Sequence, residues 1–366
     1  MCNDYEERHQ NKIIYIEALR IFSAILVIFN HTEINGYFLF STRSTGSILY
    51  WVDLFFAVFC KCAVYIFFAI SGALYLDRKP GNIRNYLCRI LKAVAILVMI
   101  SLVYYLALII PAELRFDIKA FVTMIYTCSV RQHLWFLYAY LAFLIVLPFL
   151  QAIAPTMTNK MVAVAVVLSL ILNGFIPCVQ YLLFEGKYTL TDSFSPWITS
   201  SIFLYPVLGH YLHNCNLEKA SKYLCCLWGT NIVTILLSEL MVTYESGVEG
   251  ILSEKDSQQF IASFVVVNTI TVWLTFRIVF VRIKSAKVKR IITLFGSGTL
   301  GVYLLHPLFL ESKWIVMLRE SLTRYGMPRM IACFVWVMVT FIFVSLITIV
   351  FKEINRKILG ICLLRK

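Results

Sequence analysis

Ten long apolar runs follow one another along this 366-residue chain, with no polar stretch between them long enough for a separate soluble domain. They lie at about residues 13–32, 57–76, 93–110, 134–150, 161–178, 197–213, 223–243, 259–280, 293–310 and 331–351. A helix needs about 20 mostly apolar residues to cross the hydrocarbon core of a bilayer. No water is available there to satisfy bare backbone groups, so only helices and closed barrels can span it. Hydrophobic residues make up 60% of the chain and charged residues 14%, against about 25% charged in an ordinary soluble domain. The mean hydropathy is +0.80. These values exclude a soluble globular enzyme and a disordered chain. They predict an all-α polytopic membrane bundle of about ten transmembrane helices. Residues 1–366 read as one membrane domain with a short tail at each end, 1–12 and 352–366. The segment LYWVDLFFAVF, just ahead of and overlapping the second run, reads as an interfacial helix.

The net charge is +13, from 33 Lys and Arg against 20 Asp and Glu. Basic residues concentrate in the cytoplasmic loops of membrane proteins, so this excess does not call for a nucleic-acid partner. With the N-terminus inside, 20 Lys and Arg residues fall in cytoplasmic segments and 10 in outer ones. That bias places both termini in the cytoplasm. Three basic residues, Arg20, Lys61 and Arg277, sit inside the runs. The first run lacks a small-residue cleavage site and reads as a retained helix rather than a signal peptide. The 11 cysteines are scattered without C-x-x-C spacing, which points to free, mostly buried thiols. No internal repeat is visible.

A charge near the bilayer core is expensive and marks a functional site by default. The strongest set lies in the first run, EALRIFSAILVIFNH, with Glu17, Arg20 and His31. Eleven residues at about 100° each bring Arg20 and His31 within about 20° of one face, and about 16 Å apart along the axis. Glu17 lies one turn below Arg20. An equally open reading of this spacing is a snorkelling Arg20 paired with Glu17, and an interfacial histidine at the exit. RQHLWFLYAYL places Arg131, His133 and Trp135 at the outer start of the fourth run, where an aromatic belt accounts for Trp135 equally well. GVYLLHPLFL places His306 before Pro307 near the outer end of the ninth; a histidine satisfied by a helix carbonyl is the simpler account. His210 and His213 have i, i+3 spacing with no carboxylate at matching spacing, and no metal site is expected. In DRKPGNIRNYLCRILK, Arg78, Lys79, Arg84, Arg89 and Lys92 mostly express the cytoplasmic charge bias. Arg89 and Lys92 share one face and could hold phosphates. Gly296, Gly298 and Gly301 spell G-x-G-x-x-G, but no strand precedes them, so they read as close-packing residues and not as a dinucleotide site. Ser71 and Ser297 do not sit in a nucleophile elbow.

Taken in order, these segments resemble the membrane acyltransferase type 3 family. Arg20 and His31 fit its R-x10-H in the first helix, and AVYIFFAISGALYL its FF-x-x-SG segment. RNYLCRILK is similar to its basic start of the third helix, HLWFLYAYL to its H-L-W-F-L, and GVYLLHPLFL to its G-I-Y-L-x-H-P. Each is weak alone; five in order across nearly the whole chain are specific. Two features depart from the pattern. Where the family often has R-x-x-R, this chain has Arg89-Ile90-Leu91-Lys92, and lysine lacks the bidentate fork of arginine. The C-terminal esterase-like domain of some members is not expected here.

The resemblance implies transfer of an acyl group, most often acetyl, from cytosolic acyl-CoA to a hydroxyl of an extracytoplasmic glycan or glycolipid. It implies a multi-pass protein of the bacterial plasma membrane, with membrane lipids around it and no permanently bound cofactor. Acyl-CoA, acetyl-CoA in the first instance, would be the donor substrate. His31 is then expected as general base, or less directly as a transient acyl carrier, since histidine titrates near neutral pH. Arg20 is expected to bind the phosphate–pantetheine portion of CoA or to neutralise developing charge. The 16 Å from Arg20 to His31 is about the reach of an extended pantetheine arm. Glu17 is expected to orient Arg20, and Arg89 and Lys92 to hold CoA phosphates. Trp135, Tyr303 and His306 are expected on the acceptor side or in packing. A lipid-linked sugar flippase or exporter suits buried charge and many spans equally well, but would release no CoA. A receptor-like or structural protein accounts for neither the polar stripe nor the ordered motifs.

Overall fold

The computed structural model describes residues 13–78, 82–188, 190–191, 196–249 and 257–364. The tail 1–12, Lys79, the segment 250–256 and the last two residues lie outside the described residues. The first helices are α1 (Ile14–Asn30), α2 (Ile48–Cys60), α3 (Cys62–Tyr75), α4 (Ile83–Ile109), α5 (Ile118–Tyr126) and α6 (Trp135–Ile153). Then come α7 (Asn159–Ser169), α8 (Ile176–Phe184), α9 (Ser201–Asn214), α10 (Leu217–Lys222) and α11 (Leu224–Glu249). The last are α12 (Ser257–Ala262), α13 (Val265–Val281), α14 (Ala286–Leu310), α15 (Lys313–Arg324) and α16 (Arg329–Leu364). No strand occurs among the described residues.

Among the described residues, eight helical stretches are long and apolar enough to cross a membrane: Ile48–Tyr75, Ile83–Ile109, Gln132–Thr156, Asn159–Phe184, Leu224–Gly247, Phe260–Val281, Ala286–Leu310 and Arg329–Asn355. They coincide with eight of the ten apolar runs. The remaining two runs form α1, of 17 residues, and α9, of 14, both short of the roughly 20 residues a straight crossing needs. The segment expected as a separate interfacial helix is α2, which continues through Lys61 into α3 as a single 28-residue stretch. Its composition explains this: the residues are as apolar before Lys61 as after it. Nine cysteines among the described residues are free thiols, with Cys88, Cys225 and Cys226 exposed rather than buried.

The chain divides into two compact units. The first comprises Met1–Phe67, Val166–Ser195 and Asn214–Lys366. Its centre is α1, which packs against α2, α13, α14 and α16. Eleven of its 17 residues are buried. Two glycines of α14 make this possible. A Cβ on Gly296 would run into the Glu17 carboxylate, and one on Gly301 into Thr348 of α16. These glycines of the G-x-G-x-x-G string therefore serve close helix approach. Between α1 and α2 lie short 3-10 turns at Glu33–Asn35 and Leu39–Thr42, the first against α16 and the second against α2. Asp53, buried in α2, is neutralised by Arg43 from this connection at 3.0 Å.

The second unit comprises Phe68–Ala165 and Pro196–His213. Here α4 packs against α5 and α6. Tyr105, Phe116 and Phe121 form an aromatic knot at the α4–α5 turn. Gly72 lies so close to α9 that a Cβ there would overlap the Pro206 carbonyl, and Gly209 stands in the same relation to Ala69. The glycine of the FF-x-x-SG segment is thus a crossing point of two helices. Gln151 donates to the Tyr75 carbonyl at 2.8 Å, and Tyr86 to that of Ile145 at 2.9 Å.

Candidate active site

The polar residues of α1 separate into two places. Glu17 is 3% exposed and accepts from Arg20 at 2.7 Å. Its second oxygen, Oε2, is buried with no hydrogen-bond partner among the described residues. Three turns beyond Arg20, His31 ends the helix. A helix terminus leaves its last carbonyls without backbone donors. The backbone N–H of His31 reaches back to Ile28, in 3-10 fashion, at 3.0 Å. Its imidazole Nδ1 lies 2.7 Å from the Val27 carbonyl. A carbonyl can only accept, so Nδ1 carries the proton and Nε2 is the basic nitrogen of the neutral ring.

His306 of α14 meets this ring edge-on, with centroids 4.9 Å apart and its Nε2 3.3 Å from His31 Nδ1. It is wholly buried. The neighbouring proline explains its posture. Pro307 has no N–H to give to the carbonyl of Tyr303, four residues earlier. His306 Nδ1 lies 2.9 Å from that carbonyl and 3.0 Å from the Val302 carbonyl. The same argument protonates Nδ1 and leaves Nε2 as an acceptor facing His31 Nδ1–H. The H-P dipeptide thereby fixes a tautomer. His306, read from the sequence as an acceptor-side or packing residue, stands directly behind His31. Tyr303 is buried, its ring centroid 6.5 Å from that of His306.

Around the pair, the connection after α1 is tied down by side chains. Thr32 donates to the Phe29 carbonyl at 2.7 Å and accepts the Tyr37 backbone N–H at 2.8 Å. The Tyr37 hydroxyl accepts from Lys61 Nζ at 3.4 Å. Burial pushes the Tyr37 phenol well above its usual range, so it remains a neutral hydroxyl at any physiological pH. Tyr37 and Lys61 were not singled out as site residues in the sequence. A lysine inside an apolar run was the signal that could have found one of them.

The remaining predicted residues belong to the second unit. Arg89 and Lys92 lie on one exposed face of α4. The guanidinium carbons of Arg89 and Arg78 each lie 5.4 Å from the centroid of the Tyr75 ring. Stacking of this kind holds a guanidinium in place while leaving its N–H edge available. Trp135 is 44% exposed at the start of α6. His133 beside it is buried edge-on against Tyr104, over which Arg131 also lies at 5.5 Å. His210 finds the carboxylate that its own helix does not offer: Asp77 approaches its Nδ1 at 3.3 Å. No group of three or more His, Cys, Asp or Glu residues able to hold a metal occurs among the described residues.

No curated protein and no solved structure matches this chain. The profile of one family, described as an acyltransferase domain, matches residues 13–351. That span runs from the start of α1 into α16 and contains every residue of the histidine pair and of the basic face, so the chain belongs to the acyltransferase type 3 family and is a multi-pass membrane acyltransferase.

Proposed function

We propose that the protein moves an acetyl group from cytosolic acetyl-CoA to a hydroxyl of an extracytoplasmic glycan or glycolipid, in the bacterial cell membrane with both chain ends on the cytoplasmic side. The observation that carries this reading is the His31–His306 pair, whose carbonyl partners put a basic nitrogen on His31 and a proton acceptor behind it. The acceptor hydroxyl gives its proton to His31 Nε2 as its oxygen attacks the thioester carbonyl carbon. The tetrahedral intermediate then re-forms its carbonyl, the C–S bond breaks, and the leaving thiolate takes the proton back. While His31 is a cation, its Nδ1–H is shared between the Val27 carbonyl and His306 Nε2, and hydrogen bonds from a charged donor are roughly twice as strong as neutral ones. Arg20, oriented by Glu17, contacts the donor within the bundle. Arg89 and Lys92 hold CoA phosphates, and Trp135 and Tyr303 serve the acceptor side.

The test uses purified protein in liposomes with acetyl-CoA, and membranes of cells lacking the gene as acceptor. Free CoA thiol is measured. Wild type should release CoA; a flippase or exporter would not. His31→Ala and His31→Gln should both lower release by about 10² to 10⁴, the usual contribution of a general base. Glutamine can hydrogen-bond but cannot take the proton. Activity of His31→Gln within tenfold of wild type would give His31 a positioning role and move the proton acceptor elsewhere.

A further inference from the structure

The stretch Ile48–Tyr75 departs from the regular α-helical ladder at Lys61 while keeping helical dihedral angles, although Cys60-Lys61-Cys62 contains neither proline nor glycine. Local irregularities of a helix are traceable to those residues or to a group that engages its hydrogen-bond ladder. Here the engaging groups come from two other helices. Asn268 of α13, 3% exposed, donates to the Phe59 carbonyl at 2.7 Å. Asn30, the last residue of α1, donates to the Cys60 carbonyl at 3.3 Å. The Lys61 N–H itself turns back to Val58 at 3.3 Å. Two side-chain amides inside an apolar bundle therefore hold open one irregular turn. The residue at its apex is a lysine.

That turn is joined to the histidine pair by short links. Asn30 precedes His31 in the chain. Thr32, which follows it, fixes the Tyr37 backbone, and the Tyr37 hydroxyl receives the Lys61 ammonium, which also lies 5.6 Å from the ring centroid. A cation in a membrane-spanning stretch faces a bundle interior or a polar cavity, not lipid. Acyl transfer develops negative charge on the former carbonyl oxygen, and a donor fixed beforehand at that place stabilises the transition state without reorganising.

We propose that Lys61 is a catalytic residue that stabilises the oxyanion of the tetrahedral intermediate, with Tyr37, Asn30 and Asn268 as the positioning residues that hold its turn; this rests on the acyl-transfer reading above. As the acceptor oxygen bonds to the thioester carbon, the carbonyl pair moves onto its oxygen beside the Lys61 ammonium. The pair returns when the carbonyl re-forms and the sulfur leaves with its own pair. The ammonium keeps its protons throughout, and the proton taken up by His31 passes to the leaving thiolate.

The same CoA-release assay separates the two readings. Lys61→Met should lower kcat by about 10² to 10³, the usual effect of removing one such donor, with KM for acetyl-CoA within twofold. Lys61→Arg should keep kcat within about tenfold of wild type, and Tyr37→Phe should cost about three- to tenfold in kcat alone. Size-exclusion chromatography and thermal unfolding report assembly. Should Lys61→Met not assemble, Lys61→Gln, which still hydrogen-bonds Tyr37, replaces it under the same thresholds. A kcat within threefold of wild type, or a loss confined to KM, overturns the role of Lys61 while leaving acyl transfer intact. No CoA release by wild type overturns both.

Discussion

The histidine pair of the first unit and the basic face of the second are built on opposite principles. His31 and His306 are 275 residues apart, and each is fixed by carbonyls that a helix end or a proline leaves without a backbone donor. Arg89 and Lys92 are three residues apart on one exposed helical face, steadied on one side by Tyr75. The first arrangement holds a ring in one tautomer and one orientation, which proton transfer needs. The second offers charge with freedom to adjust, which suits phosphate oxygens on a long flexible substrate. The contrast sets a pair of rings fixed by carbonyls in the first unit against an exposed charged face with freedom to adjust in the second.

Mutants can break that contrast, and their effects should fall in order. His306→Ala removes the acceptor behind His31 and should lower kcat about 10- to 100-fold with KM for acetyl-CoA unchanged, the pattern of an interaction made in the transition state. A rise in KM of the same size would place His306 on the substrate instead. Arg89→Ala should do the reverse, raising KM about tenfold and leaving kcat alone, because it removes binding common to ground and transition states. An unchanged KM would reduce the basic face to a topology signal. Pro307→Ala restores a backbone donor to the Tyr303 carbonyl; it should lower kcat about threefold, since a competing hydrogen bond worth about 1 kcal/mol loosens the ring. Steady-state assays across all three variants, with unfolding midpoints as controls, separate these outcomes. Smallest of all, Lys92→Arg should match wild type or lower KM by up to about twofold, through the bidentate fork that lysine lacks.

The sequence made the helical fold readable because each apolar run is long enough to leave no alternative to a buried helix. The Glu17–Arg20 pair was equally readable, since residues three apart on a helix are neighbours. Contacts between helices were not. His210 has no carboxylate at matching spacing along its own helix, and Asp77 comes from the segment after α3. The approach of His306 to His31 was not legible, because periodicity relates residues within one helix and says nothing across two. Pro307 held a local clue, a carbonyl deprived of its donor, but the direction of the ring depends on packing. The irregular turn at Lys61 had no local sign at all, because its cause lies in Asn30 and Asn268.

The enclosure of α1 by α13, α14 and α16 has a consequence for how the protein comes into being. α1 is synthesised well before three of the helices that surround it. Until α14 has been made, His31 has no second ring and the Glu17 carboxylate no glycine face to rest on. Pairing with Arg20 three residues away lets that carboxylate be neutralised by its own helix during the wait. Contacts of such long sequence separation form late and slowly, so a chain ending before α14 can carry the first motif of the site and still have no site. The packing that encloses α1 is therefore complete only once α14 and α16 have been made.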